Sequence, residues 1–377
     1  MVSETYPPEL NGAAMTVGRL TQALVERGHH ITLVRPRQAG DASVAEDPRL
    51  SRRLVAGLPI PYYPALRFGA PCAGMFLRAW ALVPPDLVHV ATEGPLGASA
   101  LRAARQRGIP VSTSFHTHFH RYARHYGLSW LGHPATWYLR QFHNRAACTF
   151  VPTRQVREEL RVQGFHNLVL LGRGVDVALF SPTRRSAVLR RSWGVAEDDP
   201  VVLYVGRLAR EKNLPLAVDA FHAARESHPR ARFVLVGDGP LERQLRRAHP
   251  DFVFAGRRCA EDLAAHYASA DVFLFPSLTE TFGNVTLEAM ASGLAVVAFA
   301  DAAAGEIIRH EQDGLLVPPG DAGGFVGEAR RIVCEPELVL QLRARAVETA
   351  ATRSWDAVGD EFERALLDIV NDPPRLR

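Results

Sequence analysis

Short apolar runs recur along the chain and alternate with longer stretches of helical periodicity. In the first half Ile31–Val34 follows a predicted helix over about 15–27, and Leu87–Val90 forms the next run, with Asp86 before it. Val111–Phe115 follows a predicted helix over about 96–107 that ends at Gly108, and Thr149–Val151 and Leu168–Leu171 close the set. Strands that alternate with helices predict a parallel sheet with crossover helices. Only Val2–Thr5 precede the first loop, so the sequence reads as starting a few residues inside its first strand.

The periodicity then breaks. Gly172–Asp176, Phe180-Ser181-Pro182 and the polar, basic stretch Arg184–Arg191 read as a linker. Beyond it the alternation restarts with strands Val201–Val205, Arg232–Val236, Phe252–Phe254, Val272–Phe275, Ala295–Ala298 and Gly314–Val317. Predicted helices occupy 214–227, 240–248, 261–269, 284–292, 322–351 and 355–370. A chain of 377 residues exceeds one ordinary core. The expected organisation is α/β: a Rossmann-like domain over 1–175, a second over 183–352, and a last helical segment, 355–377. Open parallel sheets bind ligands at the carboxyl ends of their strands, so two facing domains predict a site in the cleft between them.

Composition narrows the class. At 47% hydrophobic and 22% charged residues the chain reads as an ordinary globular protein. It shows no leader pattern at its start and no apolar run long enough to span a bilayer. The four cysteines make no C-x-x-C pair and read as reduced, mostly buried thiols of a cytoplasmic protein. Charge is uneven: residues 1–175 hold 20 Arg against 10 Asp and Glu, a balance of +10, and the remainder holds 24 basic against 30 acidic residues, a balance of −6. The first half therefore suits anionic partners, or simply carries a solvated basic face. Peripheral contact with the inner face of an anionic membrane is one expectation; nucleic acid is not an expected partner. The basic residues are 43 Arg and one lysine, Lys212. A lone point-like ammonium among planar guanidiniums marks a candidate site, or is chance.

The candidate chemistry sits in the strand-end turns. Pro7–Ala14, with Gly12, opens the first helix, where small residues let backbone N–H groups approach an anion or simply make a tight turn. The run Phe115-His116-Thr117-His118-Phe119-His120 ends a strand; without a carboxylate or cysteine at ligand spacing, it points to a polar role for one histidine rather than to a metal. Arg121–Arg145 mixes arginines with Trp130, Trp137, Tyr138 and Phe142, suiting an acceptor or lipid surface, or a helix packing its aromatic face inward. In the second half Val201–Val205 runs into Gly206-Arg207, with Lys212 five residues further on before a helix, a cationic clamp suited to a diphosphate. Gly237-Asp238-Gly239-Pro240 is another strand-end turn. Glu280 precedes Gly283-Asn284, which opens a helix, and Glu288 lies one turn inside it. Both carboxylates then border one ligand whose phosphate meets the helix N–H groups, or else form a capping or solvated pair.

The motifs GRLAREKN, GDGP, ADVFLFPS, ETFGNVTLEAMASG and DGLLVPPGD, with NGAAMTVGRL, SFHTHFHRY and GRGVDVALF before them, resemble the retaining glycosyltransferases of family GT4, which have the GT-B fold. The resemblance spans nearly the whole chain and is nearest GDP-mannose-dependent α-mannosyltransferases and sulfoquinovosyltransferases. It implies transfer of a hexose, mannose first, from a nucleotide-sugar to a lipid or saccharide acceptor. UDP-sugar-dependent lipid glycosylation and a nucleotide-sugar epimerase are the alternatives. By the same resemblance Arg207 and Lys212 hold the donor diphosphate, Glu280 contacts the hexose, Glu288 the ribose, and Asn284 and Val285 offer N–H groups to the phosphate. Gly12 lies in the loop under the donor phosphate, Gly237 in the donor-side turn, and His116 near the sugar. Gly174 and Asp176 belong to the cleft, and the last helix crosses back to the first domain. Ala13 stands where a second glycine is common. No D-x-D motif is present, so neither a metal nor another cofactor is expected. A nicotinamide enzyme is disfavoured, because no G-x-G-x-x-G is followed by an acid about 20 residues on.

Overall fold

The structure is a computed structural model, and it describes residues 1–9, 11–38, 41, 47–60, 63–116, 132–278, 280 and 282–372. The chain divides into two compact units: Met1–Arg173 together with Trp355–Arg377, and Gly174–Ser354.

In the first unit the strands are β1 (Ile31–Pro36), β2 (Leu50–Val55), β3 (Gly57–Ile60), β4 (Tyr63–Gly69), β5 (Val88–Val90), β6 (Val111–Ser114), β7 (Cys148–Val151) and β8 (Leu168–Leu170). β1 pairs with β2, and β5-β6-β7-β8 follow one another, all parallel. Single parallel bridges join Val2 to Val34 on one side and to Val90 on the other. The first residues of the chain thus sit at the centre of the sheet, buried between its two pieces.

β2, β3 and β4 were not anticipated. Only the ends of β2 are buried and its middle carries Arg52 and Arg53, so it shows no apolar run. The antiparallel β3–β4 ribbon carries Pro59 and Pro64, which argue against a central strand but are tolerated in a two-stranded pair. The helix Trp355–Asn371 lies on the helix Gly12–Glu26: Gly359 leaves room for Ala23, Arg27 donates to Asp360 at 2.5 Å, and Phe362 sets its ring edge against His89 and Phe150.

The second unit holds β9 (Val201–Val205), β10 (Arg232–Val236), β11 (Val253–Gly256), β12 (Val272–Phe275), β13 (Ala295–Phe299) and β14 (Leu315–Val317). They form one parallel sheet in the order β11-β10-β9-β12-β13-β14. β9, β12 and β13 are buried along their whole length, as expected of a sheet covered by helices on both faces, which is why each reads as a continuous apolar run. The strand order reverses between β9 and β12, and such a reversal opens a crevice at the carboxyl ends of the two strands.

At the opposite ends of these strands the stretch read as a linker is firmly placed. Ser186 caps the helix Ala187–Ser192, and Arg190 is buried and spans from Asp271 to the carbonyls of Ala196, Glu197 and Asp199. The helical stretch over 322–351 consists of two helices, Ala322–Cys334 and Pro336–Ala351, because Pro336 lacks the N–H that would continue the first. The cysteines also need correction: all four are free thiols, but only Cys148 is buried, Cys72 is partly exposed, and Cys259 and Cys334 are exposed. No helix among the described residues is long and apolar enough to cross a membrane.

Candidate functional site

The crevice at the strand reversal is built by two loops. After β9 the chain turns at Gly206 and passes through a short 3-10 turn, Arg210–Lys212, to Asn213, whose left-handed φ of 54° starts the helix Leu214–Ser227. After β12 it runs through Pro276 and Ser277 to Glu280 and Gly283. Side chains tie the loops together: Asn213 Nδ2 donates to the Pro276 carbonyl at 3.3 Å, and Lys212 Nζ donates to Glu280 Oε1. Ser277 Oγ donates to the same oxygen at 3.0 Å. Lys212 and Glu280 are largely buried, so the pair is shielded from most of the solvent. The single lysine of the chain is therefore locked to one of the two glutamates singled out from the sequence.

Glu280 is also held against the start of the helix Asn284–Ala291. Gly283 has φ 88°, and a Cβ there would lie 3.3 Å from Glu280 Cγ, so glycine lets the carboxylate-bearing loop close on the helix terminus. Among the described residues no side chain caps that helix, whose N-cap is Gly283. The N–H groups of Asn284 and Val285 thus open its first turn, the positive end of its dipole, beside Glu280. One turn inside, Glu288 accepts from Tyr267 Oη at 3.0 Å, and burial raises its carboxyl from 4.5 to about 7.

Arg207 follows β9 and Gly237 follows β10. Arg207 is half exposed and its guanidinium lies 3.8 Å from Glu211, in its own loop. Gly237 gives its N–H to the Gly256 carbonyl at 2.9 Å, so that N–H is already engaged. What the position needs is the absence of a side chain: a Cβ would lie 2.0 Å from the Gly206 carbonyl, and one on Gly239 would lie 2.4 Å from that of Leu208. These glycines let the β9 and β10 loops pack backbone to backbone, sealed by Leu208 N to Asp238 O at 2.8 Å.

In the first unit Gly12 is the first residue of its helix rather than part of the preceding loop, and the helix is capped by Asn11, whose side chain accepts from Ala14 N at 2.8 Å. Among the described residues nothing lies within 4 Å of where a Gly12 Cβ would stand. His116 follows β6. Its Nδ1 lies 2.8 Å from Arg173 Nη2, while its Nε2 is buried with no partner among the described residues. His118, His120 and Arg121–Leu131 lie outside the described residues. The rest of that aromatic, basic stretch forms the helix Gly132–His143, which divides its aromatics: Phe142 is buried, whereas Trp137 and Tyr138 are exposed. With Arg102, Arg105 and Arg145 these two rings line a groove of about 650 Å³.

Sequence reading gave no role to Ser277, Asn213, Tyr267 or Arg173, although Asn213 ends the motif GRLAREKN and Ser277 ends ADVFLFPS; Tyr267 lies in no motif. Arg173 sits inside the GRGVD motif, the one signal that could have marked it.

Residues 10–179 match Glycosyltransferase Family 4, and residues 199–335 match Glycosyl transferases group 1. A GDP-mannose-dependent alpha-mannosyltransferase of Mycobacterium tuberculosis is 34% identical over 96% of this chain and 94% of its own. The chain belongs to glycosyltransferase family 4. Sulfoquinovosyl transferase SQD2 of Arabidopsis thaliana is 32% identical to this glycosyltransferase over 79% of the chain and 60% of its own length. Among solved structures, sucrose-phosphate synthase of Thermosynechococcus elongatus superposes with a TM-score of 0.78 at 22% identity, covering 98% of both chains. WaaG, a glycosyltransferase involved in lipopolysaccharide biosynthesis, gives 0.70 at 17% identity over 99% of this chain and 100% of its own. The fold of the enzyme is GT-B, as the motifs implied.

Proposed function

We propose that this enzyme is a retaining hexosyltransferase that moves mannose from GDP-mannose to a lipid or saccharide acceptor. The observation that carries the reading is the Lys212–Glu280 pair at the uncapped helix terminus, in a chain so close over its full length to GDP-mannose-dependent transferases. Lys212 and Arg207 neutralise the diphosphate, and the N–H groups of Asn284 and Val285 add the helix dipole. Glu280 accepts from hexose hydroxyls and Glu288 from the ribose. In a retaining transfer the acceptor oxygen forms its bond to the anomeric carbon on the face the diphosphate leaves. The departing phosphate oxygen takes the acceptor's proton, so no protein base is required. The cations of this site do the work a metal would otherwise do, and the reading includes no metal. The 32% identity to sulfoquinovosyl transferase SQD2 favours, as a second reading, sulfoquinovosyl transfer, for which the resemblance of the motifs implied a UDP-sugar donor and a lipid acceptor.

The groove of Trp137, Tyr138, Arg102, Arg105 and Arg145 suits anionic lipid headgroups, with aromatic rings at the interfacial level and guanidiniums on the phosphates. The test is a thermal-shift panel of GDP, UDP and ADP followed by transfer from GDP-mannose with and without phosphatidylglycerol vesicles. The expected result is selective stabilisation by GDP, with turnover raised by anionic but not by zwitterionic vesicles. Stabilisation by UDP alone moves the donor to the second reading, and no transfer from any nucleotide-sugar overturns the proposal.

Glu288 gives this reading a pH signature. A carboxyl whose folded value is raised to about 7 favours the protonated form, so its contribution to stability falls as pH rises from about 4.5 through about 7. Ribose hydroxyls donate to the charged form, so nucleotide binding releases a proton in that window. GDP is expected to bind roughly tenfold more weakly at pH 6 than at pH 8, and Glu288→Gln to remove the dependence. Calorimetry at the two pH values decides it; a flat profile in the wild type would sink the ribose assignment.

A further inference from the structure

The least explained group in the first unit is the His116–Arg173 pair. Arg173 is 8% exposed, and its guanidinium donates through Nη2 to His116 Nδ1 at 2.8 Å. Among the described residues no carboxylate pairs with it, and burial lowers its value to about 10. A buried cation without a counter-charge is costly unless it serves a further purpose. A guanidinium has only donors, so the ring nitrogen facing it must be the bare one. The remaining ring proton is then on Nε2, the buried atom that has no partner among the described residues.

We infer that Arg173 is a positioning residue that fixes His116 as the neutral Nε2–H tautomer, presenting one hydrogen-bond donor to an acceptor oxygen of the bound substrate. The inference deepens the proposed function by giving His116 a defined task, donation rather than proton abstraction. The alternative tautomer would set an N–H against a guanidinium, two donors with nothing between them. A protonated ring would place two cations in contact inside the protein. The charged and titratable groups facing His116 act in the same direction: burial first, then Arg173, His89 in β5 and His143 on the helix Gly132–His143 hold it well below the ordinary histidine value. His89 and His143 are themselves committed elsewhere. The ring of His89 lies between Ser112 Oγ at 2.9 Å and Ser114 Oγ at 3.1 Å. His143 meets Thr113 Oγ1 at 2.9 Å and Glu93 Oε1 at 3.3 Å. Of the three rings, His116 alone keeps a nitrogen unused.

The test is nitrogen NMR of the histidine rings in the full-length enzyme, with His116 assigned by its loss in His116→Gln. Between about pH 5 and 8 the wild type should show His116 with Nε2 protonated and Nδ1 bare throughout. Arg173→Met should give a share of Nδ1–H tautomer. Transfer should drop about a hundredfold, as for a misplaced catalytic contact, with donor KM little changed. Arg173→Lys, which keeps a donor toward Nδ1, should restore the tautomer and part of the rate. An Nδ1–H ring in the wild type, or a tautomer unmoved in Arg173→Met, overturns the inference. The wild-type spectrum needs no turnover: a correct tautomer without transfer from any nucleotide-sugar would sink the functional reading and leave this one standing.

Discussion

Lys212→Ala is expected to reduce transfer by about 10²–10³-fold while the protein remains folded. The lysine is the ammonium locked to Glu280, and its loss removes preorganised positive charge from the place where the departing diphosphate gains negative charge. Removing one such electrostatic contact elsewhere costs about 2.7–4 kcal/mol in the transition state. Folding should survive because Glu280 keeps Ser277 as a donor at 3.0 Å and its loop is closed independently through Asn213 and Pro276. Lys212→Arg should rescue little. The pocket holds one compact ammonium against one carboxylate oxygen, and a planar five-donor fork cannot occupy that position without displacing Ser277 or Glu280. Glu280→Ala should be as damaging, through loss of both hexose contact and lysine placement. Initial-rate assays with circular dichroism and unfolding curves on the same preparations decide the matter. Wild-type turnover in Lys212→Ala would remove the lysine from the mechanism.

How much of this was visible beforehand follows from where each signal is stored. β9 and β12 were legible because both faces of the sheet are covered, so each strand appears as an uninterrupted apolar run ending in a turn. The turns were legible because their glycines are required: φ is 88° at Gly283 and 137° at Gly237. The reason for Gly237 was not, since nothing local says that the Gly206 carbonyl comes to within 2.0 Å of its missing Cβ. β2 stayed hidden because a strand with only its ends buried carries no periodic signal. The His116–Arg173 contact joins residues 57 apart, and Lys212–Glu280 joins residues 68 apart. Of the two, only Lys212–Glu280 had been tied to a common ligand, and that through the family resemblance; the side-chain contact itself could not be read from either segment.

The same limit applies most strongly to Asp271, which no motif marks as structural and which should nevertheless dominate the stability of the second unit. It precedes β12, and three guanidiniums reach it: Arg185 at 3.0 Å, Arg190 at 3.1 Å and Arg343 at 3.2 Å. They come from 86, 81 and 72 residues away, so one carboxylate joins the entry to the unit, its central sheet and its late helix Pro336–Ala351. Its Oδ2 also accepts from Val201 N at 2.9 Å, at the first residue of β9. Arg190 is only 3% exposed and cannot turn to water if the carboxylate is lost. Asp271→Asn keeps the shape but leaves three guanidiniums without their counter-charge, and breaking a buried pair in this way costs about 3–5 kcal/mol. Glu348→Gln is the control, because its bond to Arg345 at 3.0 Å is exposed on both sides and such pairs contribute about 0–1 kcal/mol. In urea, Asp271→Asn should lower the unfolding midpoint of the second unit sharply while Glu348→Gln barely moves it. Equal midpoints for the two variants would show that the arginines hold the unit through the carbonyls of Ala268, Ser269 and Gly293 rather than through the carboxylate.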